Sequence, residues 1–469
     1  MIKRILKHSS VYFFSSIFVK IIGFILLPVI TAKLTVDDFG LYSNLKSIIN
    51  VLSIFASFSF DVAYGRYIYE YEKVSDGPKI LTSTVLNLLI LWAIVFIPIS
   101  AFVVSKILIS WKSERIFVAL LLPLIAISQQ MIAIGNANFQ SRHKTKLVVS
   151  LNTILYISLQ VLSLIFLFVF NYGSSGLLLS QYIINTVNLI YIFVKFFKDG
   201  LFSFNTFSFP VIKKIYRYAL GFLPVNFSSW IFNLSDKIII SYFISLSATG
   251  KYSLFVQLIS IIPITIQSIV VVFNPYFYRS MNERKNTEDI KRYFTIMIIL
   301  LNYMLISVSL LLPVIVKVFF IESYQENFEI IPLIALGTIF LSLRKIYSVV
   351  IAFYKKAVLF SLTGYIPAVV NLVLNLILIP IYGISAAAWS TMISYAFYGV
   401  SVFLISNRLH KFEIPLVRLL IMFFFAVIVA FASVRIDPIS IKILLWLICT
   451  FGILIVTKRM GLFVWRADV

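Results

Sequence analysis

The run YALGFLPVNFSSWIFNLSDKIIISYFI, Tyr218 to Ile244, is apolar and long, yet it carries two opposite charges side by side. As a helix it extends about 40 Å, more than the roughly 30 Å hydrocarbon core of a bilayer. Its only formal charges are Asp236 and Lys237. Asn226, Ser229, Asn233, Asp236 and Lys237 recur at helical spacing. On a regular helix at about 100° per residue they fill one sector about 100° wide. The other faces carry Phe227, Ile231, Phe232 and Leu234. Lipid cannot solvate such a stripe, so it faces either a neighbouring helix, as hydrogen-bonding glue, or an aqueous cavity.

The rest of the chain has the same character. Its 469 residues are 61% hydrophobic and 12% charged, with a mean hydropathy of +1.01. A water-soluble fold of this length could not cover so much apolar surface, and the pattern predicts an all-α polytopic membrane protein. About fourteen segments are long and apolar enough to cross, among them 9–33, 41–65, 218–244, 357–380, 384–406 and 440–457. The net charge of +22 would suggest nucleic acid in a soluble chain. Here it follows from topology. Of the 40 lysines and arginines, 27 fall on one side of the alternating spans and 7 on the other. That asymmetry predicts both termini in the cytoplasm, with no nucleic-acid partner. The basic N-terminus MIKRILKHSS precedes a run too long for a signal peptide and reads as an uncleaved first span. The single cysteine, Cys449, and three histidines in basic loops predict no disulfide and no metal site.

An internal repeat organises the spans. LTVDDFGLYS (34–43) matches ISLSATGKYS (244–253), pairing Gly40 with Gly250 and Tyr42 with Tyr252. NYGSSG (171–176) matches IYGISA (381–386) at the same offset. Twelve spans then form two six-helix lobes related by an axis along the membrane normal. The expected division is 1–200, 201–410, and two additional helices with a tail over 411–469.

Six cations lie in or near spans and need another account: Lys20, Lys46, Lys237, Lys317, Arg344 and Lys345. Lys20 lies close to the middle of the first span, beside Tyr12, Ser16, Gly23 and Thr31. The second span repeats the stripe with Tyr42, Lys46, Asn50, Ser53, Ser57 and Asp61. Lys317 sits where its side chain can snorkel to the outer interface. Pro28, Pro98, Pro123, Pro224, Pro263 and Pro367 fall within spans, where kinks are expected. No phosphate-binding glycine loop, HExxH or GxSxG motif is present, and no cofactor is called for.

NLSDKIIISYFISLSATGKYSLFVQL (233–258) resembles the span 7–8 signature of bacterial polysaccharide-biosynthesis exporters of the Wzx type. NLVLNLILIPIYGISAAAWSTMISY (371–395) is similar to the same family's signature at spans 11–12, with Ser385-Ala386 where a glycine often precedes the alanines. FGLYS (39–43) also fits. The family belongs to the MOP superfamily, alongside multidrug (MATE) exporters and the lipid II flippase. The resemblance implies two lobes around a central cavity, alternating access, and an undecaprenyl-pyrophosphate-linked oligosaccharide carried from the inner to the outer leaflet for O-antigen or capsule. It implies no enzyme activity. Membrane lipid, a polysaccharide polymerase and a chain-length regulator are the implied partners. For such a substrate Lys20, Lys46, Lys237, Arg344 and Lys345 are the candidate diphosphate ligands. Asn50, Asn226 and Asn233 are candidates for sugar hydroxyls. Asp61 and Asp236 are either counter-charges or coupling sites. A cation-coupled drug exporter would favour a net-acidic cavity, and a glycan polymerase would need a large charged outer loop.

Overall fold

The computed structural model describes residues 2–111, 117–142, 144–283 and 287–460. The side chains of residues 2–17, 110, 145, 233, 287, 357 and 358 lie outside that description, so those of Tyr12, Ser16 and Asn233 do as well. The described residues are helical, with no strand. In chain order the helices are α1 (Ile2–Lys33), α2 (Val36–Ser57), α3 (Phe60–Tyr71), α4 (Gly77–Ser110), α5 (Val118–Ser141) and α6 (Thr145–Phe168). Next come α7 (Gly173–Lys198), α8 (Phe209–Leu220), α9 (Leu223–Trp230), α10 (Asp236–Phe243), α11 (Leu246–Ile259) and α12 (Ile261–Glu283). The chain ends with α13 (Thr287–Phe319), α14 (Ile330–Phe353), α15 (Ala357–Leu409), α16 (Leu416–Ala432) and α17 (Ile439–Arg459).

Ten of these helical stretches are long and apolar enough to cross a membrane, or eleven when the bent pair α2–α3 counts as one span, among the described residues. The expected fourteen would further require α1, the segmented run α9–α10, and two crossings within α15. The last has a physical basis. The 51-residue stretch Leu359–Leu409 would extend about 75 Å as one helix, far beyond one bilayer. Gly383 interrupts it with φ 67° and ψ −148°, a conformation open to glycine. Of the prolines expected at kinks, Pro28, Pro98, Pro123 and Pro367 lie inside helices α1, α4, α5 and α15.

Packing divides the chain into two compact units, Met1–Gly250 and Lys251–Val469. The lobes expected at 1–200 and 201–410 rest on the sequence offset, a different criterion. In the first unit, Phe139 and Phe196 meet edge-on at 5.6 Å in a buried core shared by α3, α4, α5 and α7. A buried triad pins α3 to that core. Asn138 Nδ2 donates to the Tyr64 hydroxyl at 2.7 Å, and Tyr64 shares a hydrogen bond with Thr82 at 2.8 Å. In the second unit α14 and α15 approach through small residues. A Cβ on Gly399 would lie 2.2 Å from the Phe340 carbonyl oxygen. Such contacts are how membrane helices associate without a hydrophobic driving force.

Candidate functional site

The second span is broken. Phe58 and Ser59 both take the left-handed conformation (φ 47° and 67°), although neither is glycine. Each such residue costs about 1–2 kcal/mol. The break bends α3 by 45° from α2. It places Asp61 in the first turn of α3, where the helix dipole favours a negative charge. The carboxylate accepts the backbone N–H of Val62. Among the described residues no lysine or arginine pairs with it.

The seventh span is broken too. Helix α8 ends at Gly221, and α9 follows. A π-helical turn, Ile231–Ser235, then separates α9 from α10. The extra residue in that turn resets the helical phase. The stripe drawn on a regular helix therefore does not run straight through. Asp236 is buried, with its Oδ1 accepting the Lys237 backbone N–H at 2.8 Å, while the Lys237 side chain is half-buried.

The two broken spans run antiparallel and face each other within the first unit. Asn226 Nδ2 donates to Ser59 Oγ at 2.8 Å. Trp230 Nε1 donates to the Ser47 carbonyl at 3.0 Å. Farther along, Asn44 Nδ2 donates to Ser241 Oγ, which bonds Thr249 Oγ1 at 2.6 Å. Between these ties lies a cavity of about 370 Å³. Asn50, Ser53, Ser57 and Asp61 line it from the second span. Asn226, Ser229 and Trp230 line it from the seventh, and Gln130 from α5. Ser57 Oγ donates to Gln130 Oε1 at 2.9 Å and fixes that amide. Asp61 is the one charged liner.

The structure thus gathers Asn50, Asn226 and Asp61 around one cavity. Lys46 lies one helical turn away, its carbonyl accepting Asn50 Nδ2 at 2.8 Å. Its Nζ sits 4.9 Å from the Tyr42 ring centroid. Lys237 is within electrostatic reach of both Lys46 and Asp236. Lys20 is exposed on α1 and has no ion pair or ring contact among the described residues. Three residues on, Gly23 makes room for Tyr156. A Cβ there would meet the Tyr156 hydroxyl at 2.7 Å, and Tyr156 lies within electrostatic reach of Lys46. Arg344 and Lys345 belong to the second unit. The Arg344 guanidinium lies over the rings of Phe360 (5.2 Å) and Tyr398 (4.8 Å), and Lys345 Nζ donates to the Pro263 carbonyl at 3.4 Å. Among the described residues no group of three or more metal-ligating side chains occurs.

Four liners escaped the sequence reading: Ile54, Gln130, Trp230 and Leu234, the last of which the regular-helix reading had put on an apolar face. Gln130 had a signal: the pair Gln129-Gln130 inside an apolar run of α5. Trp230 had none, because a tryptophan in an apolar span is as much at home against lipid.

A family model described as polysaccharide biosynthesis protein matches residues 5–281. An uncharacterized membrane protein of Methanocaldococcus jannaschii is 22% identical over 316 residues, 64% of this chain and 62% of that protein. The match thus spans less than two thirds of that relative's length. The Lsg locus putative protein 1 of Haemophilus influenzae is 27% identical over 294 residues, 60% of this chain and 68% of that protein. The fold is shared with the lipid II flippase MurJ in its inward closed conformation, at a TM-score of 0.68 and 15% identity, covering 97% of this chain and 99% of that one. It is shared also with an inward-facing multidrug resistance MATE family transporter of the MOP superfamily, at 0.61 and 12%, covering 85% and 95%.

Proposed function

The chain belongs to the polysaccharide biosynthesis protein family, and from that premise we propose that it is a flippase for a lipid-linked oligosaccharide. It carries an undecaprenyl-pyrophosphate-linked unit from the cytoplasmic to the outer leaflet of the bacterial inner membrane by alternating access. The product is surface polysaccharide, O-antigen or capsule, passed on to a polymerase and a chain-length regulator.

The observation that carries this reading is the polar cavity with a lysine beside its lining on each span, Lys46 four residues before Asn50 and Lys237 three residues after Leu234. A diphosphate held by both ammonium groups gains charge-assisted hydrogen bonds in a place poor in water. The polar cavity one turn away suits the attached sugar. Lys20 is the third proposed cation, with Arg344 and Lys345 in the second unit as further ones. Asn233 joins Asn50 and Asn226 as a proposed hydroxyl ligand. Asp236, beside Lys237, balances its charge. Asp61 has no cationic partner among the described residues, which leaves it for ligand reading or for coupling to a proton or cation.

Lys46→Ala with Lys237→Ala, placed in a flippase-null strain, is expected to reach the membrane at normal level and to lose surface glycan at least tenfold. Full restoration of glycan by the double variant sinks the reading. One observation favours a second reading, a cation-coupled drug exporter: the cavity's single charged liner is a carboxylate. That reading predicts altered sensitivity to cationic drugs on deletion, whereas the flippase reading predicts none.

A further inference from the structure

Resting on the flippase reading, we infer that the cavity between the broken second and seventh spans is the subsite for the diphosphate-proximal sugar, that Trp230 is its stacking platform, and that it selects a neutral or N-acylated pyranose against an acidic one. Four features of the cavity carry this. First, its volume of about 370 Å³ is near the lower end for small-ligand sites and holds roughly one or two sugar rings. Second, the Trp230 indole lines it with its orientation set. The Nε1–H bond to the Ser47 carbonyl holds the ring, and among the described residues it contacts no other aromatic ring. A held, half-buried indole at the cavity wall offers the apolar face of a pyranose a large flat contact at little entropic cost.

Third, apart from Ile54 and Leu234, the remaining liners are hydrogen-bonding groups that match hydroxyls and amides. Asn50 spends Nδ2 on the Lys46 carbonyl, so its Oδ1 remains an acceptor for the ligand. Gln130 spends Oε1 on Ser57, so its Nε2 remains a donor. Asp61 adds an acceptor fixed at the start of α3. Fourth, the charge is divided. The cations Lys46 and Lys237 lie outside the cavity lining, Lys46 four residues from Asn50 on the second span, about 6 Å by helical rise, and Lys237 on the seventh. The only charge within it is negative. A sugar carboxylate placed there would face Asp61 with no cation among the liners to offset it, which is the arrangement that rejects it. The diphosphate and its first sugar are thus read by separate groups on the same pair of spans.

The test uses the full chain in lipid nanodiscs. The probes are a bare polyprenyl diphosphate and the same lipid carrying a neutral hexose, an N-acetylhexosamine or a uronic acid. Binding is followed by calorimetry. The expected result is that the neutral and N-acylated ligands bind about tenfold more tightly than the bare lipid. The uronic acid ligand should show no such gain. Trp230→Ala should erase the gain and Trp230→Phe should keep most of it, with affinity for the bare lipid unchanged in both. Asp61→Asn should narrow the gap between neutral and acidic ligands. Bare lipid that binds normally with no gain from any sugar, or a gain untouched by Trp230→Ala, overturns the subsite and leaves the flippase reading standing. Failure of the bare lipid to bind overturns the flippase reading, and the subsite with it.

Discussion

A methyl group added to Gly40 would lie 2.0 Å from the carbonyl oxygen of Leu246, and one added to Gly250 would lie 2.2 Å from that of Val36. The two contacts are reciprocal, and they join the residues that the sequence repeat pairs at one offset. A residue-scale match in LTVDDFGLYS and ISLSATGKYS was thus legible, because glycine at a backbone-to-backbone contact has no substitute. Gly40→Ala is expected to destabilise the fold by about 1–3 kcal/mol. The clash is with backbone, so no rotamer change relieves it. A lowered midpoint in thermal unfolding of the detergent-solubilised protein checks this, and an unchanged midpoint would refute the contact. Trp230 stands at the other extreme of legibility. Its role depends on a hydrogen bond to Ser47 on a span distant in sequence, and no local pattern encodes that.

At the scale of elements, composition and periodicity located the apolar spans but missed how two of them break. Phe58 and Ser59 lack the glycine or asparagine that marks a left-handed pair. Packing of Phe58 against Trp92 at 5.5 Å, and the Asn226 bond to Ser59, compensate what propensity disfavours. The π-turn at Ile231–Ser235 is equally silent, since one extra residue leaves hydrophobicity unchanged. Of the stripe read from the sequence, Asn226 and Ser229 line the cavity, while Trp230 and Leu234 line it from outside the stripe; beyond the π-turn Asp236 is buried and Lys237 half-buried. Helix α8 illustrates a connection held by charge. Lys214 Nζ bonds Glu70 Oε2 at 2.8 Å and lies 4.6 Å from the Tyr67 ring centroid. That bond, more than the neighbouring Lys214 charge itself, holds the Glu70 carboxyl below its usual range. A carboxyl depressed in the folded state contributes stability above its unfolded value, near 4.3, and loses it as pH falls through the folded value. The pair is exposed, so the effect is small and screened by salt. Protection of the α8 amides is expected to fall below pH 4 in the native protein, their exchange rising relative to the intrinsic rate at the same pH. Glu70→Gln should show the raised exchange already at pH 7, and equal exchange in both at pH 7 would remove the pair from the account.

At the scale of the molecule, transport by alternating access requires some contact that closes one side and must part. The candidate is the tie between the second and seventh spans at the end that the lysine and arginine distribution assigns to the outside. There Asn44 bonds Ser241, Ser241 bonds Thr249, and Gly40 packs on Leu246 and Gly250. All of these residues lie in the first unit, so the closure is built from the second span and the segment that begins the second repeat. Short polar groups and glycines suit such a closure. They dock tightly when together, and on parting they expose little apolar surface. The sequence offers the repeat as an expectation but not this tie, because hydrogen bonds across 197 residues leave no periodic trace. Cysteines at Asn44 and Ser241, with Cys449 replaced by serine, would replace two side chains that hydrogen-bond each other and are the pair to bridge. Under oxidising conditions the bridged protein is expected to bind polyprenyl diphosphate from the cytoplasmic side and to deliver none to the outer leaflet. Reduction should restore delivery to the level of the cysteine-free chain. Transport at full rate with the bridge formed would mean that these spans need not separate, and the closure would have to lie elsewhere.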